Sequence, residues 1–281
     1  MRRRDYYIID AHCHIYPEKI AAKAVKGTDV FYDTEAFGTG IAENLISEGE
    51  KVGVSAFVVQ SVATTPKQVA SINEFIAQTV KDSGGKLTGL GTLHPESPDM
   101  KKDVSQILEL GLHGVKLHPD IQKFRIDDPE HWEMYALCEE MGLPILMHTG
   151  DVRYHYSNPE NLIPVLKAFP KLTIVGAHLG GWSLWEEASL KLADFENLYV
   201  DSSSSFATIE KQIALGKIPY LSEKKAVEVI RRYGVDKVLF GTDYPMWSPH
   251  AELDFFFSLG FSEEDSRKML SENAKKVFSV D

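Results

Sequence analysis

His12 and His14 stand one residue apart near the start of the chain, close enough in sequence to hold one ion between two imidazoles. In an extended strand, residues i and i+2 point to the same side, so the pair can chelate while Cys13 points away. Taken alone, the tripeptide reads more readily as two imidazoles satisfied by backbone hydrogen bonds than as a metal site. Further titratable groups change the weighting. Lys116 and His118, His148, His178, Asp201 and Asp243 each fall at the end of a short apolar run, as does His94. Strands that pack a core need apolar side chains, so polar ends on many of them call for convergence on one chemical site.

The elements that must position these residues alternate along the chain. Eight short β-branched runs, 7–12, 55–61, 87–93, 114–118, 144–148, 173–178, 198–201 and 238–243, are separated by segments with apolar residues at three- and four-residue spacing. The helical segments are 43–52, 67–81, 100–110, 130–141, 160–168, 184–193, 223–233 and 263–278. Thr65-Pro66, Ser97-Pro98, Asp128-Pro129 and Asn158-Pro159 pair a capping residue with proline at a first helical position, and Ser222 and Ser262 open two later helices. Eight strand–helix units predict an α/β chain closed as a (β/α)8 TIM barrel, in one catalytic domain over 1–281. No glycine-rich dinucleotide turn follows the first strand. A long connection over 15–40 follows instead and is expected to fold over the site as a lid.

Composition narrows the function. The formal charge of -11 and the absence of a dense Lys/Arg cluster argue against nucleic acid, and no apolar run approaches a bilayer span. The opening Arg2, Arg3 and Arg4 read as a solvated terminus, without the features of a secretory leader, so a cytoplasmic location is expected. Two cysteines, Cys13 and Cys138, are too few for a disulfide framework and are expected as buried thiols. A small molecule is the favoured partner; a homodimer is possible, with no patch to mark it.

The ordered set Asp10-Ala11-His12-Cys13-His14, Gly114-Val115-Lys116-Leu117-His118-Pro119, His148-Thr149-Gly150, Gly176-Ala177-His178-Leu179-Gly180-Gly181 and Gly241-Thr242-Asp243-Tyr244-Pro245 resembles the amidohydrolase superfamily. With Glu272-Asn273-Ala274 opening the last helical segment, the chain looks like the branch of aminocarboxymuconate-semialdehyde decarboxylase-like enzymes. The resemblance implies that His12, His14, His148 and Asp243 ligate one divalent ion, with His178 and Asp243 as acid/base groups. Three imidazoles and a carboxylate suit Zn2+, and the same donors accept Mn2+, Fe2+ or Ni2+. It also raises a second ion bridged by a carbamylated Lys116, although one ion is preferred and an unmodified Lys116 would pair with a substrate carboxylate.

Substrate contacts are expected from Lys116, His118, Arg153 and Trp247, with hydroxyls from 202–205. Asp10, two residues before His12, is a candidate for orienting a ligand imidazole. The leading expectation is hydrolysis of an amide, ester or lactone bond in a small carboxylate by activated water. The alternative is non-oxidative decarboxylation of an aromatic or unsaturated carboxylate. A barrel that binds a metabolite without catalysis is a third reading.

Overall fold

A computed structural model describes residues 5–206 and 220–280, so Arg2, Arg3 and Arg4 lie outside the described residues. Among the described residues, nine parallel strands line up in chain order. β1 (Ile8–His14), β2 (Val54–Gln60) and β3 (Leu87–Gly89) form one run. β4 (Gly91–Thr92), β5 (Val115–Leu117), β6 (Ile145–Met147), β7 (Ile174–Gly176), β8 (Leu198–Asp201) and β9 (Val238–Leu239) form the other.

The expected third strand, 87–93, is thus split at Leu90, yet its hydrogen bonds continue on both sides. Leu90 N donates to Val59 O, and Gly91 N donates to Gly114 O, each at 2.9 Å. The two runs also meet at the far edge. Ala11 N donates to Phe240 O at 2.9 Å, His14 N to Tyr244 O at 2.6 Å, and Asp243 N to His12 O at 2.9 Å. The sheet therefore closes into the expected eight-stranded barrel, with its seam between β1 and the segment following β9.

Helices cover the outside. α1 (Glu18–Tyr32), α2 (Ala42–Lys51), α3 (Val69–Asp82), α4 (Met100–Glu109), α5 (Pro119–Gln122) and α6 (Trp132–Met141) belong to the first half. α7 (Leu162–Ala168), α8 (Trp185–Leu192), α9 (Glu223–Tyr233), α10 (Pro249–Ser258), α11 (Glu263–Arg267) and α12 (Asn273–Phe278) belong to the second. α1 and α10 were not expected from the sequence. Helix starts follow local chemistry: Thr65 forms a full capping box with Gln68, and the Ser222 and Ser262 side chains accept from Lys225 N and Asp265 N. At Ser97-Pro98 the cap lies two residues later, because the Asp99 side chain accepts from Lys102 N. Asn158 makes no side-chain cap bond.

Two apolar layers result. One fills the space between strands and helices. The other lies inside the barrel, where Ile9, Val58, Leu146, Val175 and Leu239 meet Ala274, Val277 and Phe278 from the C-terminal end. That plug of side chains closes one mouth, so the polar strand ends are gathered at the other.

Candidate active site

The seam of the barrel carries the densest cluster of donors. His12 Nε2 lies 3.3 Å from His14 Nε2 and 3.4 Å from Asp243 Oδ1, and His14 Nε2 is 3.5 Å from the same oxygen. These atoms outline a nearly equilateral triangle. A register shift in β1 between Asp10 and Cys13 allows the local turn of the chain, and Cys13 packs away into the outer core. Asp243 is held at φ 59°, a left-handed conformation that aspartate tolerates better than most residues. Gly241 is needed two residues before it, because a Cβ there would come within 2.9 Å of His12 Cβ.

Hydrogen bonds set the imidazole tautomers. His12 Nδ1 lies 2.9 Å from Asp201 Oδ2, so its proton is directed to the carboxylate and Nε2 is left with a lone pair inside the triangle. His178 Nδ1 donates to the Ser203 carbonyl at 2.9 Å, which leaves Nε2 to accept from His148 Nδ1, also at 2.9 Å. His148 Nε2 then presents a lone pair, and it is buried with no hydrogen-bond partner. His118 Nδ1 accepts from Ile121 N, so Nε2 donates to the Tyr32 hydroxyl at 2.8 Å. The His118 and His148 rings stack at 3.8 Å and 9°, with Asp120 Oδ2 3.4 Å from His148 Nε2. In-plane lone pairs on parallel rings do not converge, so this group is a poorer cation cage than the triangle.

Burial dominates the electrostatics. It drives the imidazoles of His12, His14, His118 and His148 well below the usual histidine range, and His178 to about 4. These rings are therefore neutral, as ligands must be. Burial pushes Asp243 up to about 7, against the opposing pull of Ser204 and Lys116. It lowers the buried Lys116 amine to about 8, although Asp243 and Asp201 favour its charge. Lys116 Nζ is 3.1 Å from His12 Nε2, so a cationic group already stands against the donors.

The amidohydrolase family model matches residues 9–280. The chain belongs to the amidohydrolase family. Two relatives place this amidohydrolase in the decarboxylase-like branch. One is a 2-amino-3-carboxymuconate-6-semialdehyde decarboxylase of Dictyostelium discoideum, 24% identical over 75% of this chain and 66% of its own length. The other is a gamma-resorcylate decarboxylase of Polaromonas sp., 20% identical over 82% of each chain. A solved structure of a dihydroxybenzoic acid decarboxylase from Polaromonas sp., with bound manganese and 2-nitroresorcinol, superposes with a TM-score of 0.72 at 16% identity, covering 98% of this chain and 97% of that one.

In the amidohydrolase, one cavity of about 890 Å3 reaches His12, His14, Lys116, His118, His148, His178, Trp247 and Asp243. Arg153 is not among its lining residues. Its guanidinium is forked onto Asp151 at 2.7 to 3.3 Å, donates to Phe31 O at 2.5 Å, and lies over the Phe31, Tyr32 and Tyr154 rings. Asp10 does not reach an imidazole: it accepts from Thr242 N, Thr242 Oγ1 and His12 N, and Asp201 holds the His12 ring instead. Of the serine run, Ser204 lines the cavity, donates to Asp243 at 2.6 Å and accepts from Trp247 Nε1 at 2.7 Å, while Ser203 bridges His12, His178 and Asp201. Cys13 and Cys138 are buried free thiols. Among the described residues, no helix is long and apolar enough to cross a membrane.

The triangle suits a divalent ion. Metal bonds of about 2.1 Å in tetrahedral geometry put donors about 3.4 Å apart, and the observed edges are 3.3, 3.4 and 3.5 Å. The neutral rings and the carboxylate of the triangle supply the right donor chemistry, while His148 Nε2, without a hydrogen-bond partner, groups with His118 and Asp120.

Proposed function

We propose that this amidohydrolase is a metal-dependent, non-oxidative decarboxylase of an aromatic or unsaturated carboxylate. The observation that carries this reading is that the two curated relatives described above, matched over 75% and 82% of the chain, are decarboxylases. It displaces the hydrolysis favoured by the motifs alone, which serve either reaction. The cavity supports it too. Outside the reacting end, apolar side chains dominate the walls, which suits the ring or unsaturated chain that carries the acid.

His12, His14 and Asp243 would hold the ion, with His148 as fourth ligand through Nε2; zinc is our first assignment on the donor spacing, and manganese the alternative. When bound, the ion supplies Lewis-acid polarisation of substrate oxygens. The chain's own groups do the rest. Lys116 Nζ pairs with the departing carboxylate, and Trp247 and His118 confine the substrate. The carbon–carbon bond breaks, its electron pair stays on the substrate carbon, and that carbon takes a proton. His178, fixed through Nδ1 on the Ser203 carbonyl, would hold and hand on that proton at Nε2 once its ring gives up the bond that Nε2 accepts from His148 Nδ1.

Metal-loaded protein should be incubated in deuterated water with dihydroxybenzoates and other unsaturated acids. CO2 release with one deuterium at the vacated carbon is expected. Cleavage of lactones, esters or amides without CO2 would return the assignment to hydrolysis.

A further inference from the structure

The cavity continues past the ligand cluster into a lobe between two helices. Along α1, Ile20, Ala24, Gly27, Thr28 and Phe31 all line it, at intervals of four, three, one and three residues. This spacing is one continuous helical face. Across the gap, Ser71, Ile72 and Phe75 form the matching stripe of α3, whose other face buries Val69, Asn73 and Ile76 against the barrel.

The α1 face is only partly covered by the protein. Of its 15 residues only Ala21 is buried, and Ile20 is 45% exposed although it lines the cavity. An amphipathic helix normally buries such a stripe against its own core. Here its C-terminal end is pinned, through the Tyr32 hydroxyl on His118 and the Arg153 guanidinium on Phe31 O. The helix is thus fixed over the lobe rather than packed into it. The charged lining residues away from the ligand cluster, Lys19 and Glu74, are both exposed. A volume near 890 Å3 lies towards the upper end of the roughly 300 to 1,000 Å3 that encloses drug-sized ligands. A single-ring acid would leave much of it unfilled.

We propose that the substrate is a carboxylate carrying an extended uncharged apolar tail, which lies between α1 and α3 while its acid head sits at the His12–His14–Asp243 cluster. The proposal rests on the decarboxylase reading for the head alone; the tail is argued from the lobe. The occupant is taken to be substrate because the lobe is continuous with the reacting end.

The test is calorimetric titration of the metal-loaded full chain with 4-n-alkylbenzoates from methyl to hexyl. Each methylene moved into the lobe should tighten Kd about fourfold. Ala24→Phe, which places a ring in the lobe from a half-buried helical position, should bring the hexyl member back to the affinity of the methyl member. Thermal melting checks that the variant folds, and Ile72→Trp repeats the block from the α3 side. Equal Kd values along the series, no binding by any member, or a chain-length dependence that survives both substitutions overturns the proposal. So does concentration-dependent dimerisation abolished by Ala24→Phe, which would assign the stripe to a second copy. Because binding is read without turnover, tight binding of long acids stands even where the dihydroxybenzoate assay shows no CO2 release, the result that would sink the decarboxylase reading and leave the tail lobe standing. CO2 release from dihydroxybenzoates with equal Kd along the alkyl series would do the reverse.

Discussion

Asp201→Asn exchanges one oxygen for an amide nitrogen beside the His12 ring. In the native site, Asp201 Oδ2 accepts the His12 Nδ1 proton at 2.9 Å, and both side chains are fully buried. The other oxygen, Oδ1, accepts from Ser203 N at 2.9 Å, from His178 N at 3.2 Å and from the Ser203 hydroxyl. Those donors require an oxygen, so the asparagine amide nitrogen must face His12. Two donors cannot share one bond, and only the weaker Ser203 hydroxyl acceptor at 2.9 Å stays beside Nδ1; the ring proton therefore shifts towards Nε2, the atom that completes the triangle with His14 and Asp243. Loss of such an orienting partner weakens metal binding about 10- to 100-fold, equivalent to about 1.4 to 2.8 kcal/mol. Competition against a chromophoric chelator near neutral pH measures this directly. Asp10→Asn is the control, since Asp10 bonds Thr242 and the His12 backbone but no imidazole. It should lower stability and change metal affinity less than threefold. A folded Asp201→Asn protein with native metal affinity, or equal losses in both variants, would refute the tautomer argument.

Three further outcomes are expected. Lys116→Gln should retain the ion yet raise KM for the acid by tenfold or more, because it removes the ammonium beside the donors; parallel loss of metal would show that Lys116 is itself part of the ligand set. Gly150→Ala should cost about 1 to 3 kcal/mol in urea unfolding, since Gly150 sits at φ 79° and a Cβ there would overlap the Trp182 backbone nitrogen; an unchanged midpoint contradicts that packing. Glu252 is fully buried with both carboxyl oxygens unpartnered, and burial raises its acid well above the usual carboxylate range. The folded state thus keeps a proton that the unfolded state loses, so this group reduces stability as pH rises from its unfolded value towards its folded one, by up to about 1.4 kcal/mol per pH unit. Glu252→Gln should remove that slope and melt higher than the native protein at alkaline pH; a lower melt throughout would indicate a required carboxylate.

The parts legible in the sequence are those with local signals. Strand identity shows in the β-branched runs, and the polar residues ending them announce a shared mouth. The site geometry needed more. Asp201 and Asp10 look alike in sequence, each a carboxylate at a strand, and only the register at the seam decides which reaches the His12 ring. Arg153 follows His148 by five residues, but Asp151 captures its guanidinium, and spacing alone gives no side-chain direction. Tyr32 left no sequence signal, because its helix lies in a connection outside the strand rhythm and its partner His118 is 86 residues away. The split of the third strand at Leu90 falls between Gly89 and Gly91, inside a run whose alternating Leu, Thr and Gly residues read as one strand.

The barrel's seam has a consequence for how the protein comes into being. His12 and His14 are synthesised some 230 residues before Asp243 and the backbone that seals β1, as the Asp10–Thr242 bond spanning 232 positions records. Until that late segment docks, the early histidines lack their carboxylate partner and the mouth is not assembled. A chain that lacks the late segment therefore lacks one corner of the triangle, and any ion that needs all three donors can report that the barrel has closed.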